Sequence, residues 1–138
     1  MIYLASPYWH EEVKVRLHRT EQTMLIARAL LRRKLPIFSP IIHGHALNEG
    51  GLNFNSQKPA SPDIGFSHQD WLDVDFQYLK VCSMMMIAQI EGWQSSKGVN
   101  MEKDFCRVNG IPMVLLSPVE CSVLADSESK LLYPAIVE

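Results

Sequence analysis

The sequence predicts an α/β fold: a Rossmann-like (flavodoxin-like) three-layer sandwich with a mainly parallel sheet of four to five strands. Three observations lead there. Short β-prone segments alternate with helix-period segments along the chain, the pattern of strands joined by helical crossovers. The β-prone segments are almost continuously apolar, as strands covered on both faces are. At 138 residues and 47% hydrophobic content, the chain can bury one sizeable core and is too short for two, so residues 1–138 are expected to form a single domain.

Met1 to Ala5 (M-I-Y-L-A) is short and apolar and runs into Ser6-Pro7, a turn signal, which predicts a buried strand ending in a loop. From Glu11 to Lys34 the positions Val13, Leu17, Thr20, Met24, Ala27 and Leu31 trace one helical face. Glu11 and Glu12 in the first turn and Arg32, Arg33 and Lys34 in the last suit the helix dipole. Pro36 stops that helix, and Ile37 to Pro40 reads as a brief second strand and a loop. His43 to Ser67 is rich in Gly, Asn, Ser and Pro and is expected to be a long loop with one helical turn around Ala46 to Asn48. Ser67-His68-Gln69-Asp70 matches a capping box with Asp in the third helical position, which predicts a helix from His68 to about Lys80. Met84 to Ile90 reads as a third strand. Val99 to Asn109 reads as a helix closed by Gly110 and Pro112, and Met113 to Leu116 as a fourth strand. After Pro118 the pattern fits no single element.

The formal net charge is −2 and no block of five or six like charges occurs. The chain therefore carries no electrostatic footprint for a nucleic-acid polymer or a membrane surface. Its longest apolar stretches fall well below the ~20 residues of a membrane span, and no signal-peptide pattern opens it, so a cytoplasmic protein is expected. Cys82, Cys106 and Cys121 are odd in number, lack C-x-x-C spacing and lie in apolar surroundings, which predicts buried free thiols. Neither G-x-G-x-x-G nor G-x-x-x-x-G-K-[ST] is present, so the cradle of a dinucleotide or P-loop nucleotide is missing. His43-Gly44-His45 has alternate histidines without the further ligands a metal needs. No metal or cofactor is expected.

Two carboxylates sit where apolar side chains belong. On the helix from His68, Trp71, Leu72, Val74, Tyr78, Leu79 and Val81 span one arc, and Asp75 lies near its centre. On the next helix Glu102 projects on the side of Met101, Phe105 and Val108, away from Asn100, Lys103, Asp104 and Arg107. A buried carboxylate is costly unless it is hydrogen-bonded structurally or kept for a task. Both helices flank the Met84 to Ile90 strand, so the pair is placed to converge on one pocket at the carboxyl ends of the strands, where open α/β sheets bind ligands. The loops expected there are Ser6 to Trp9, Ser39 to His45 and Glu91 to Gly98. Two such carboxylates, about 5 Å apart in retaining enzymes, break glycosidic bonds through an oxocarbenium-like transition state. The nearby helix N-terminus is expected to help keep Glu102 ionised.

Y-L-A-S-P-Y at the start, D-x-x-x-L-K-V-C-S from Asp75, G-W-Q-S-S-K-G-V-N-M-E from Gly92 to Glu102, and N-G-I-P-M-V-L-L from Asn109 together resemble the nucleoside 2-deoxyribosyltransferase superfamily. More narrowly, they resemble its small DUF1937-like bacterial and phage branch. The resemblance runs to about Pro118. It implies that Glu102 is a nucleophile that attacks the anomeric carbon and forms a covalent sugar-enzyme intermediate. Asp75, by the same resemblance, holds the sugar or protonates the departing base. Gly98 and Val99 match the turn that lets backbone approach the ligand, and Ser6, Pro7 and Tyr8 match the first loop of the pocket. Base-exchanging relatives carry an aspartate six residues before the nucleophile. Ser96 stands there instead, as in the branch that hydrolyses nucleoside 5′-monophosphates, where the hydroxyl helps bind phosphate. The first loop lacks the arginine a phosphate site would want, which leaves Arg16, Arg19, Lys97 or a neighbouring subunit to supply charge.

The implied activity is cleavage of a (deoxy)nucleoside or its 5′-monophosphate, with hydrolysis favoured over base exchange and no cofactor. The implied partner is that small molecule, and the implied assembly is a homo-dimer or higher homo-oligomer. His43 and His45 either line the pocket mouth or are solvated loop residues. Trp93, Trp9 and Tyr8 stack on a base or sugar, or are ordinary packing residues. A non-catalytic nucleotide-binding or sensing protein of the same fold is the alternative, and two structural carboxylates a third reading.

Overall fold

In the computed structural model, which describes residues 1–49 and 64–134, four strands form an all-parallel sheet in the order β2-β1-β3-β4. The strands are β1 (Ile2–Ala5), β2 (Ile37–Phe38), β3 (Met84–Ala88) and β4 (Met113–Leu116), and the helices are α1 (Val13–Arg32), α2 (Pro40–Glu49), α3 (His68–Val81), α4 (Lys97–Asn109) and α5 (Pro118–Leu132). This is the Rossmann-like α/β sandwich the sequence predicts, with four strands among the described residues. No helix among those residues is long and apolar enough to cross a membrane.

Register assigns the sheet's two faces. Leu4 pairs with Met86 and Met86 with Val114, while Tyr3 pairs with Met85 and Met85 with Met113. Paired residues in a parallel ladder point the same way, and neighbours along a strand point oppositely. Ile2, Leu4, Met86 and Ala88 accordingly pack with Leu25, Ile26, Ala29 and Leu30 of α1 and Cys121, Leu124 and Ala125 of α5. Tyr3, Ala5, Met85 and Ile87 pack with Leu79 of α3 and Val99 and Cys106 of α4. All three cysteines are buried and free, as expected.

Several elements differ from the sequence reading. Lys34 adopts a left-handed backbone with φ 66°, so α1 ends at Arg32 and not at Lys34. Its buried side is Leu17, Thr20, Thr23, Leu25, Ile26, Ala29 and Leu30, turned from the expected face because α1 packs on the sheet side by side with α5 and touches both; Leu31 is half exposed. The stretch from Pro40 to Glu49 is a helix where a loop was expected from His43. Pro40 holds a first-turn position and the Ser39 hydroxyl accepts the Ile42 amide at 3.2 Å, a start signal that precedes the loop-like composition. The rest of that expected loop, residues 50–63, falls outside the described residues. The ambiguous segment after Pro118 is a 15-residue helix capped by Ser117. It is clasped to α1 by buried Glu128, which takes Arg32 at 2.6 Å and Arg28 at 3.0 Å. On α3 the Ser67–Asp70 capping box forms, but Val81 faces solvent, as does Val108 on α4.

Candidate functional site

The site begins with a strand residue. Tyr3 is fully buried in β1 and aims its hydroxyl at the face shared with α3 and α4, where it donates to Glu102 Oε2. Glu102, in the second turn of α4, is only 5% exposed and has no lysine, arginine or histidine partner among the described residues. Burial pushes its carboxyl up to about 8; the Tyr3 hydroxyl opposes that shift and the charge of Asp75 adds to it. Burial thus works against the ionisation of Glu102 that the helix N-terminus was expected to favour. Burial likewise drives the Tyr3 phenol well above its ordinary value, with Glu102 and then Asp75 adding to the effect.

Asp75 is half-buried on α3, and desolvation raises it to about 7. Its electrostatic action on both Tyr3 and Glu102 places the two sequence-predicted carboxylates in one neighbourhood. The helices that carry them are registered by Phe76 and Phe105, whose rings stack at 4.6 Å with an interplanar angle of 5°. Phe76 follows Asp75 directly, and Phe105 lies three residues after Glu102, on the same side of α4. Two like-charged groups in a poorly solvated space cannot both ionise easily, so the pair holds one proton across the interval near neutrality.

Around this centre the remaining expected residues divide. Ser6 is buried at the end of β1 and its hydroxyl accepts from Thr23 at 3.0 Å, and Pro7 is buried beside it. Both shape the loop from within. The Tyr8 hydroxyl meets His45 Nδ1 at 3.2 Å, and burial lowers the pKa of His45, which favours neutral imidazole. His43 is half-buried, edge-on to Tyr78 at 5.5 Å, while Phe38 stacks on Tyr78 at 4.3 Å. Its buried Nδ1 has no hydrogen-bond partner among the described residues. Both histidines thus belong to helix α2 and not to a solvated loop. Gly44 between them lies on the Trp71 ring, with 3.4 Å between that ring and the position a Cβ would take.

Trp93 is half-buried against the Tyr3 side of the core, with Lys103 Nζ 5.8 Å from its ring centre. Trp9 is 71% exposed, and the Arg16 guanidinium lies 4.7 Å from its ring. Ser96 caps α4 and accepts the Val99 amide at 3.2 Å. Val99 is wholly buried. Gly98 sits in the first helical turn, which corrects its expected place in a turn before the helix; among the described residues a Cβ there would approach only Ser96 Oγ, at 4.0 Å.

Tyr3 was not singled out by the sequence, and Arg19 was named only as one of several sources of charge for a phosphate. A tyrosine inside an otherwise aliphatic strand was the available signal for the first, since a buried phenol needs an acceptor. Arg19 donates to the Trp9 carbonyl at 2.7 Å and lies on Gly92, whose φ is 95°. It thereby ties the loop after β1 to the loop after β3. Neither Arg16 nor Arg19 pairs with a carboxylate among the described residues. Among those residues no group of three or more His, Cys, Asp or Glu is arranged to hold a metal ion.

The family model of a domain of unknown function, DUF1937, matches residues 1–118. No curated protein matches the chain.

Proposed function

We propose, for a chain that belongs to the DUF1937 family, that it cleaves the N-glycosidic bond of a (deoxy)nucleoside or nucleoside 5′-monophosphate, with water as the favoured acceptor. The observation that carries this reading is Glu102: a buried carboxyl with no cation beside it among the described residues, held by the Tyr3 hydroxyl and sharing its surroundings with Asp75. A carboxylate kept for structure alone is better served by a salt bridge, as Glu128 is. The motif resemblance to nucleoside 2-deoxyribosyltransferases supports the same reading.

In the proposed reaction the proton of the pair, which rests on the more weakly acidic Glu102, passes to Asp75 when substrate binds, and the Tyr3 hydroxyl stabilises the carboxylate left on Glu102. A Glu102 oxygen bonds to the anomeric carbon while the carbon–nitrogen bond breaks. The bonding electrons leave with the base, which takes a proton from the Asp75 carboxylic acid. Asp75, now ionised, removes a proton from water as the water oxygen attacks the anomeric carbon. The sugar–Glu102 bond breaks with its electrons on Glu102, and both carboxyls return to their starting states. The Ser96 hydroxyl accepts from its own helix and keeps its proton free to donate to a sugar or phosphate oxygen. Arg16 and Arg19 supply positive charge at the first loop. A homo-dimer or higher assembly belongs to the same proposal.

Incubation with a panel of deoxynucleosides and their 5′-monophosphates, with and without a second free base, tests the reading by chromatography of the released base. Glu102→Gln should abolish release, and intact-protein mass of a slowed variant should show a sugar adduct. Unaltered ligand affinity in Glu102→Gln, with no base released by the parent protein, would favour the nucleotide-sensing alternative.

A further inference from the structure

Strand β3 carries a polar side chain at its carboxyl end. Gln89 follows Ala88, the last residue of β3, and its backbone N–H donates to the Leu116 carbonyl at 3.1 Å, so the ladder with β4 runs on through it. Its neighbours Ala88 and Ile90 both pack with the α1–α5 core. Successive residues of an extended chain point to opposite faces, which turns Gln89 to the side of Tyr3, α3 and α4. Ala5 pairs with Ile87 and Tyr3 with Met85, so Gln89 stands one layer beyond Ile87 and two beyond the partner of Tyr3. That is the strand end where open α/β sheets bind ligands.

The side chain of Gln89 is half-buried. Its amide has no hydrogen-bond partner among the described residues, yet neither its oxygen nor its nitrogen is sealed from solvent. A donor and an acceptor are thus held ready at the end of an apolar strand. Trp93, four residues on, packs half-buried against the same side of the core, and its backbone N–H returns to the Ile90 carbonyl at 3.1 Å in a turn that keeps the indole beside the strand end. An indole offers a face on which a planar heterocycle stacks, and a glutamine amide offers a donor and an acceptor side by side to its edge. Asp75 and Glu102, engaged with the glycosidic bond, supply neither.

We infer that Gln89 is the specificity-determining residue of the site proposed above, reading the hydrogen-bonding edge of the base while Trp93 packs against its face. The inference rests on a nucleoside binding at that site, and not on its bond being cleaved.

Calorimetric binding of the common deoxynucleosides, in a Glu102→Gln background that stops turnover, tests it. Gln89→Met keeps the length of the side chain and removes both polar atoms, and should bring the affinities for different bases to within a few-fold of one another. Gln89→Glu exchanges the donor for a second acceptor. Guanine presents adjacent donors at N1 and N2, whereas adenine presents one donor beside ring acceptors, so the ratio of deoxyguanosine to deoxyadenosine affinity should rise roughly tenfold. A structural role would lower all affinities alike and leave the ratios unmoved. Unmoved ratios in a folded variant, a background protein indifferent to the base, or no nucleoside bound at all would overturn the inference. Base-dependent binding that answers to Gln89, in a protein whose Glu102 form releases no base, would uphold it and remove the hydrolysis instead.

Discussion

The hydroxyl of Tyr3 and the carboxyl of Glu102, 99 residues apart in the chain, are joined by a buried hydrogen bond. Removing the hydroxyl with Tyr3→Phe leaves Glu102 desolvated without its donor. Since that donor holds the Glu102 pKa down against burial, the acidic limb of the pH–rate profile should move to higher pH. A hydrogen bond to a charged group contributes about 1.5–3 kcal/mol, so kcat/KM should fall roughly ten- to a hundredfold. A variant with parental pH dependence would show that the phenol does not act on Glu102.

The paired carboxyls also govern stability. Both folded pKa values, about 7 for Asp75 and about 8 for Glu102, lie above those of an unfolded chain, so the folded state binds protons more tightly. Their contribution is complete below pH ~4 and is lost as pH rises through 7 to 8. Urea unfolding of the parent should therefore weaken over that interval. Glu102→Gln should flatten the decline and leave the variant more stable than the parent at pH 8.5, by on the order of a few kcal/mol. Catalysis that needs one proton on the pair should peak between the same two values. Identical pH–stability curves for parent and variant would refute the coupling.

Gly92 and Arg19 should behave as one unit. A Cβ at Gly92 would stand 2.3 Å from Arg19 Nη2, and the residue's φ is 95°. Gly92→Ala should cost about 1 kcal/mol from backbone conformation alone, and more through displacement of the guanidinium from the Trp9 carbonyl. Once Arg19→Ala has emptied that space, Gly92→Ala should cost less. Chemical denaturation of the two singles and the double gives the coupling energy, and strict additivity would count against the contact.

Ser96 separates capping from ligand contact. Ser96→Ala should lower stability by about 1 kcal/mol through loss of the α4 cap. Aspartate caps equally well, so Ser96→Asp should keep the parental stability. In the proposed reaction that variant should discriminate against 5′-monophosphates relative to nucleosides, because a carboxylate repels phosphate. Equal kcat/KM changes for both substrate types would remove Ser96 from the phosphate site.

Much of this was legible in the residues. Continuous apolar runs marked β1, β3 and β4, the Ser67–Asp70 box marked the start of α3, and Gly110 marked the end of α4, where it takes a φ of 67°. Asp75 and Glu102 stood out because charge interrupts an apolar arc. What the pattern hid was tertiary in origin. Helix α2 has a weak periodicity and a glycine at its centre, and is sustained by Gly44 against Trp71 and His43 against Tyr78. The buried side of α1 depends on α5, which the local sequence did not define. The role of Tyr3 required knowing that a strand residue near the start faces a helix residue near position 100.

Strand β1 divides its labour by parity. Tyr3 and Ala5 look toward the carboxyls, Ile2 and Leu4 toward the α1–α5 layer. Evolution can thus rework the aliphatic underside for robustness while the half that faces Asp75 and Glu102 stays untouched. A single inserted residue in that strand would exchange the two sets at once, burying the phenol in grease and stranding leucine beside the acids. This chain should tolerate drift in composition on one flank far better than any change in spacing.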